Sequence, residues 1–162
     1  MQNSPTFLML IGIPGSGKTH WINLNKKKLD AMNYEVISPD EIRQEITGKI
    51  SDLSQDRIVW NEAKLRVFNR LINGKNVILD ATNVNYYYRR LFIENLPKCN
   101  LRAKLFEVTP ELAKERIKND LKHGKPRSKV PEEVIDRMQN QFINYCSVLA
   151  LIKEGFEVID AL

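Results

Sequence analysis

The stretch of sequence that decides the fold is the octapeptide Gly12-Ile13-Pro14-Gly15-Ser16-Gly17-Lys18-Thr19. It satisfies every fixed position of the pattern G-x-x-x-x-G-K-[ST], in which the backbone N–H groups of a glycine-rich loop surround a phosphate. The unbroken apolar run from Thr6 to Ile11 precedes it and is typical of a strand covered on both faces in a parallel sheet. A helix is predicted to begin at Lys18, so its positive end would face the same phosphate.

The residue types of this octapeptide suit a nucleoside triphosphate and its magnesium ion. Lys18 is expected to reach the β- and γ-phosphates of ATP, and Thr19 to offer its hydroxyl to Mg²⁺. The residues predicted to hold the nucleotide are Gly12, Pro14, Gly15, Ser16, Gly17, Lys18 and Thr19, together with Arg116 further along the chain. The alternative is a plain glycine-rich turn between a strand and a helix.

Length and composition predict one folded domain over residues 1–162. The chain is 43% hydrophobic and 28% charged and has no low-complexity tract. Its net charge of +5 is compatible with a nucleic-acid partner and is also an ordinary solubility charge. Cys99 and Cys146 lack metal-ligand spacing and are expected in the core. With no basic leader and no apolar run long enough for a membrane, a cytoplasmic location without membrane contact is expected.

Strands alternate with helices along the chain. The predicted strands are Thr6–Ile11, Tyr34–Ile37, Asn76–Asp80, Leu101–Val108 and Gly155–Ile159. Helices are predicted from Lys18 to about Ala31, from Asp40, from Asp56 to Ile72, from Tyr86 to Asn95, from Thr109, and from Pro131 to about Val148. This alternation predicts a three-layer α/β fold of the P-loop NTPase type, with a parallel five-stranded sheet and helices on both faces.

Two acidic residues follow predicted strands at the edge of the sheet where α/β proteins bind ligands. Asp80 is predicted to hold Mg²⁺ through a water, the alternative being a helix-capping or turn aspartate. Asp40 lies on one helical face with Arg43, and such a pair could accept a proton from a hydroxyl and hold a phosphate. On spacing alone, an ordinary first-turn acid beside a solvated arginine is favoured.

A basic segment, residues 122–129, is interrupted by glycine and proline and is predicted to be irregular. It is either part of a lid over residues of about 111–131, whose cation neutralises the transferring phosphoryl group, or a solvated loop. The candidate lid cations are Arg116, Lys122, Lys125 and Arg127.

Two helices carry more specific predictions. In the helix from Asp56, the apolar stripe predicted to pack on the sheet is Ile58, Leu65, Phe68 and Leu71. Tyr86-Tyr87-Tyr88, followed by Arg89-Arg90, suits stacking of a base beside cations. Because three consecutive helical residues face different directions, at least one of these tyrosines is expected in the core.

Taken together, these motifs resemble the kinase domain of phage-type polynucleotide 5′-hydroxyl kinases and related P-loop kinases, over nearly the whole chain. The octapeptide resembles that family's G-x-P-G-S-G-K-[ST], and the segment Ser38 to Gln44 resembles its D-x-x-R segment. Asp80-Ala81-Thr82-Asn83 resembles its D-x-T-N segment, and Val130 to Met138 resembles its V-P-x-x-V-[IL]-x-x-M segment.

The resemblance implies an ATP- and Mg²⁺-dependent kinase that acts on the 5′-hydroxyl ends of RNA or DNA. It implies that Asp40 is the general base and that Arg43 engages the acceptor's phosphate, which replaces the ordinary interpretation of both residues. A lid cation would cover the γ-phosphate. Spacing from the helix indicates Lys122 for that cation, and a shifted loop would allow Arg127 or Arg116.

Two other functions remain open from the sequence. The same loop, base and lid suit a kinase for a small metabolite or nucleotide, and a non-catalytic nucleotide-binding module would use the loop alone. The best-known phage enzyme continues into a phosphatase domain with an Asp-x-Asp motif, whereas this chain ends at Leu162 without one. We therefore expect no 3′-phosphatase activity.

Overall fold

The computed structural model describes residues 4–162 and contains a five-stranded sheet in which all paired strands are parallel. Its strands are β1 (Thr6–Ile11), β2 (Tyr34–Ile37), β3 (Asn76–Leu79), β4 (Asn100–Leu105) and β5 (Glu157–Val158). Its helices are α1 (Lys18–Leu24), α2 (Lys26–Ala31), α3 (Pro39–Thr47), α4 (Asp56–Ile72), α5 (Tyr86–Ile93), α6 (Pro110–Lys122), α7 (Glu132–Tyr145) and α8 (Val148–Lys153). The strand order is β2-β3-β1-β4-β5, and the predicted three-layer α/β fold is confirmed.

The central strand β1 is buried along its whole length. Its side chains alternate between two cores, as the pleat of a strand requires. Phe7 and Met9 pack in the core that contains Val59 of α4, whereas Leu8 packs in the opposite core with Leu29 of α2. Both faces of the sheet are therefore covered by helices, which explains why β1 is an unbroken apolar run.

Most predicted elements are present, and two predicted helices are interrupted. The helix expected from Lys18 to Ala31 is divided at Asn25, whose φ of −100° and ψ of 7° leave helical geometry. The helix expected to continue to Val148 ends at Tyr145, and Ser147 caps the separate helix α8. No helix among residues 4–162 is both long and apolar enough to cross a membrane.

The prediction of the buried face of α4 is wrong at three of its four positions. Ile58, Leu65 and Phe68 are 52%, 54% and 39% exposed, and Leu71 alone is buried. The buried residues of α4 are Val59, Ala63, Val67 and Leu71. They form a row of i, i+4 neighbours, which places them on one face of the helix, in the core against the sheet. Ile58 and Leu65 line an external groove with Ile46 of α3 instead.

Candidate active site

The octapeptide Gly12 to Thr19 forms a loop, called the P-loop below, between β1 and α1. Two of its glycines are required by close contacts. A Cβ at Gly12 would lie 2.5 Å from Ser16 Oγ and 2.8 Å from the Phe106 carbonyl oxygen. A Cβ at Gly15 would lie 2.7 Å from the Ala113 carbonyl oxygen, and its φ of +81° disfavours other residues. The P-loop is thus packed tightly against the end of β4 and against α6.

Lys18 is folded back into the P-loop. Its Nζ donates hydrogen bonds to the carbonyl oxygens of Gly12 at 2.8 Å and Ile13 at 3.0 Å, and to Ser16 Oγ at 3.2 Å. The side chain is buried, so these oxygens replace water as partners of the amine. The lysine is therefore held in one place by the loop whose ligand it is predicted to contact.

Asp80, directly after β3, lies beside the start of α1. Thr19 Oγ1 donates a hydrogen bond to Asp80 Oδ2 at 2.9 Å, and the Gly12 N–H donates to the Thr82 carbonyl oxygen at 3.0 Å. Hydroxyl and carboxylate oxygens are the ligands that Mg²⁺ prefers, and Mg²⁺ usually keeps several waters and contacts substrate phosphates. Residues 4–162 contain no cluster of three or more His, Cys, Asp or Glu side chains placed to hold a metal by themselves. Thr19 and Asp80 therefore fit a Mg²⁺ ion shared with a nucleotide.

The pKa values of Lys18 and Asp80 are shifted by their withdrawal from water. Burial lowers the pKa of Lys18 to about 8. The negative charges of Asp80 and Asp40 oppose this shift, and the positive charge of Arg127 adds to it. Burial also raises the pKa of Asp80, against the hydrogen bond from Thr19 and the charge of Lys18. An anion beside Lys18 or a cation beside Asp80 would restore the charged form of each. Both groups are thus in surroundings that favour ligands of opposite charge.

Asp40 and Arg43 lie on α3, immediately after β2. Ser38 caps this helix by accepting a hydrogen bond from the Glu41 N–H at 3.4 Å, with Pro39 in the first turn, as the sequence predicts. The side chain of Asp40 is 60% exposed, whereas that of Arg43 is 7% exposed. Arg43 Nη1 donates to Asp40 Oδ1 at 2.5 Å. An accessible carboxylate is thus held by a buried guanidinium.

Arg43 has a second carboxylate partner, Asp56, that the sequence did not reveal. Arg43 Nη2 donates to Asp56 Oδ1 at 2.7 Å, and Asp56 is the first residue of α4. Within residues 4–162, Arg43 Nε is buried and has no hydrogen-bond partner. In the sequence, Asp56 is only an acid at the start of a predicted helix. The helix dipole alone explains an acid at that position, so the sequence did not indicate its pairing with Arg43. Asp40, Arg43 and Asp56 form what we call the acceptor triad.

The candidate lid cations differ in their relation to the P-loop. Arg116 on α6 donates from Nη1 to the Gly15 carbonyl oxygen at 3.1 Å. Arg127 lies near enough to Lys18 to lower its pKa. Lys122, at the exposed end of α6, makes no ion pair within residues 4–162. Lys125 pairs with Asp120 at 2.8 Å, so of the four candidates Arg116 and Arg127 contact or influence the P-loop.

The segment between α6 and α7 is irregular, as predicted, and is tied to two parts of the protein. Arg127 pairs with Asp120 of α6. Ser128 Oγ donates to the Ile50 carbonyl oxygen at 3.3 Å, and the same oxygen accepts a hydrogen bond from Arg43 Nη1 at 3.4 Å. The lid and the acceptor triad therefore share one backbone carbonyl.

The prediction that one of the three consecutive tyrosines lies in the core is wrong. Tyr86, Tyr87 and Tyr88 are 37%, 72% and 72% exposed. Arg89 occupies the buried position instead, and its guanidinium pairs with Glu154 at 2.6 Å. The arginine is admitted to the interior because a carboxylate neutralises it there.

Residues 7–144 match a protein family described as an AAA domain. The 6-phosphofructo-2-kinase/fructose-2,6-bisphosphatase 1 of Rattus norvegicus is 26% identical over 175 residues, which cover 88% of this chain and 35% of the rat protein. The probable adenylyl-sulfate kinase of Archaeoglobus fulgidus is 24% identical, over 82% of this chain and 96% of that protein. The chain thus spans about a third of the rat relative's length and nearly all of the archaeal one's.

Solved structures show the same fold. A chain from the structure of the Pnkp1/Rnl/Hen1 complex has a TM-score of 0.64 and 25% identity, over 72% of this chain and 40% of its own length. A chain from the Pnkp1/Rnl/Hen1 RNA repair complex has a TM-score of 0.68 and 23% identity, over 97% of this chain and 48% of its own. The chain described here therefore belongs to the AAA domain family.

Proposed function

We propose that this kinase transfers the γ-phosphate of ATP, with Mg²⁺, to the 5′-hydroxyl end of RNA or DNA. The observation that carries the proposal is the accessible Asp40 carboxylate held by Arg43 at the end of β2. Asp40 shares the carboxyl edge of the sheet with the P-loop, where α/β proteins bind their ligands. Asp40 and Asp80 follow β2 and β3, which are parallel neighbours in the sheet, and this supports a single site that contains donor and acceptor groups.

On the donor side, Lys18 binds the β- and γ-phosphates, and Thr19 with Asp80 holds Mg²⁺. Mg²⁺ held by these residues would supply charge neutralisation at the phosphate oxygens. Lys18 adds fixed positive charge in a site from which water is largely excluded, where such charge is most effective. The protein's task on this side is to position the γ-phosphate for attack.

On the acceptor side, Asp40 accepts the proton of the attacking 5′-hydroxyl as the oxygen–phosphorus bond forms and ADP leaves. Arg43 orients Asp40. The guanidinium of Arg43 also engages the acceptor's phosphate that is adjacent to the 5′-hydroxyl. Asp56 acts through Arg43 as a positioning residue, because it binds the second terminal nitrogen of the same guanidinium.

For the lid, over residues of about 111–131, we propose Arg127 as the cation of the transition state, with Arg116 supporting the P-loop. Arg127 lies near Lys18, and its partner Asp120 is on the adjoining helix α6. A small movement of the loop would carry the guanidinium to the γ-phosphate. Lys122 is the weaker candidate because it is exposed at the end of α6.

A polynucleotide acceptor is supported by the resemblance of the Asp40–Arg43 segment and by the likeness to a chain of the Pnkp1/Rnl/Hen1 complex. A kinase for a small hydroxyl compound is the second candidate. It is supported by the relatives named 6-phosphofructo-2-kinase and adenylyl-sulfate kinase, the second of which matches over 96% of its own length.

The two candidates are separated by competition for labelled γ-phosphate. The protein is incubated with Mg²⁺, labelled ATP and a panel of sugars, nucleosides and adenylyl sulfate, with and without a 5′-hydroxyl oligonucleotide. We expect label on the oligonucleotide and none when its 5′ end is already phosphorylated. Label on a small compound in preference to the oligonucleotide would favour the second candidate.

A further inference from the structure

Three of the chain's five tyrosines lie together on one surface, formed by the start of α5 and the end of α7. The ring of Tyr86 lies 5.5 Å from that of Tyr87 and 6.4 Å from that of Tyr145, between centroids. Tyr87 is 72% exposed, and Tyr145 is 47% exposed. We call Tyr86, Tyr87 and Tyr145 the tyrosine surface.

A buried arginine holds the two segments of the tyrosine surface together. Arg89 donates from Nη2 to the Tyr145 carbonyl oxygen at 2.8 Å and from Nη1 to the Asn83 carbonyl oxygen at 2.9 Å. The same guanidinium binds both carboxylate oxygens of Glu154, at 2.6 and 3.1 Å. A bidentate pair of this kind fixes geometry as well as charge. The two backbone segments that carry the exposed rings are therefore held in fixed positions relative to each other.

Beside the rings is a cavity of about 290 Å³ with two cations at its wall. Its lining includes Tyr86, Tyr145, Arg90 and Lys153. Arg90 makes only a 3.5 Å contact with Glu94, and Lys153 makes no ion pair within residues 4–162. Rings that offer a flat face, next to the unpaired cation Lys153 and the weakly paired Arg90, complement an unpaired base and its phosphates.

We propose that the tyrosine surface and its cavity bind the unpaired bases of a single-stranded nucleic acid, with Arg90 and Lys153 holding its phosphates. The inference rests on the proposed function, since it names where the body of a polynucleotide acceptor is held. Helix α5 begins shortly after Asp80, and Asn83 between them donates to the Leu10 carbonyl oxygen of β1 at 2.7 Å. The start of α5, which carries Tyr86 and Tyr87, therefore follows closely on the edge of the sheet that carries the P-loop.

Fluorescence anisotropy, without ATP, measures binding of labelled 12-nucleotide single-stranded RNA and DNA and of a blunt duplex. In the full chain we compare Tyr86→Ala/Tyr87→Ala, Arg90→Ala/Lys153→Ala and the control Phe68→Ala/Lys27→Ala, whose residues are exposed on other helices. We expect the first two variants to bind single strands at least about tenfold more weakly. The control is expected to bind as the wild type does.

A second comparison separates stacking from loss of folding. Tyr86→Phe/Tyr87→Phe keeps both rings and is expected to keep the affinity for single strands, because any base can stack on a phenyl face. The Arg90→Ala/Lys153→Ala variant is expected to have a shallower dependence of binding on salt. Equal loss in the phenylalanine and alanine variants, or binding of the duplex as tight as that of the single strand, would overturn the inference.

Because ATP is absent, the result does not depend on transfer. Single-strand binding that the alanine variants weaken supports the tyrosine surface, even if no phosphate is transferred and the proposed function fails. Transfer to a 5′-hydroxyl by a protein whose alanine variants bind like the wild type overturns the tyrosine surface and leaves the proposed function standing. Absence of single-strand binding in the wild type also overturns it.

Discussion

The donor side and the acceptor side of the candidate site are built in opposite ways. Lys18 is buried, and each of its three hydrogen-bond partners lies within six residues of it in the chain. Asp40 is 60% exposed and is held through Arg43 by Asp56, a residue of another helix. The contrast teaches that the proposed donor site is determined by residues close together in the chain, whereas the proposed acceptor site depends on how α3 packs against α4.

The substitution expected to impair the donor side most is Lys18→Ala. We expect kcat to fall by about 10³-fold, because one fixed charge is removed from the transition state in a buried site. Initial rates of label transfer measure the effect, and Lys27→Ala on the exposed face of α2 is the control. Similar rates in both variants would mean that Lys18 does not contact the transferring phosphate.

The lid, which joins the two sides, gives the next largest effect. We expect Arg127→Ala to lower kcat by about 10²-fold and Lys122→Ala by less than about twofold, because Arg127 alone of the two influences Lys18. Both variants remove one lid cation, so they control for net charge. A larger loss in the Lys122 variant would return the lid role to that residue.

Asp56→Asn tests the acceptor side. We expect this variant to have a kcat about tenfold lower than the wild type and an unchanged KM for ATP. The carboxylate that fixes Arg43 Nη2 is weakened, while the P-loop is untouched. Asp52→Asn, at a half-buried acid that caps the 3₁₀ turn before α4, is the control, because asparagine keeps the cap. Partial recovery by Asp56→Glu is expected, and a raised KM for ATP without loss of kcat would contradict the positioning role.

The smallest effect on transfer is expected from a matched pair of substitutions on α4, which tests the packing beneath both sides. Leu71→Ala removes a buried side chain and should lower the free energy of unfolding by about 2–5 kcal/mol. Leu65→Ala, at a 54% exposed position, should change it by less than about 0.5 kcal/mol. Urea unfolding measures both, and equal losses would mean that α4 buries the stripe that periodicity predicted.

The parts of the fold that sequence predicted are those determined by local patterns. The P-loop, the capping of α3 by Ser38 and the alternation of strands with helices each depend on residues close together in the chain. The positions of Asp40 and Asp80 followed, because carboxyl ends of parallel strands meet at one edge. These local signals were enough to place the donor side.

The parts that sequence did not predict depend on tertiary packing. Helix α4 has two adjacent apolar rows, and periodicity alone could not tell that the sheet accepts the row with the smaller side chains. Arg89, rather than a tyrosine, is buried on α5 because Glu154 neutralises it from a distant part of the chain. The pairing of Arg43 with Asp56 likewise joins two helices across an irregular segment.

The central claim is that Asp40 deprotonates a 5′-hydroxyl presented to the P-loop. The most direct measurement is the rate of γ-phosphate transfer from labelled ATP to a 5′-hydroxyl oligonucleotide by the wild type and by Asp40→Asn, with ATP affinity measured in parallel. We predict transfer by the wild type and a rate about 10²–10⁴-fold lower in the variant, with ATP affinity unchanged. No transfer by the wild type, or an undiminished rate in the variant, would contradict it.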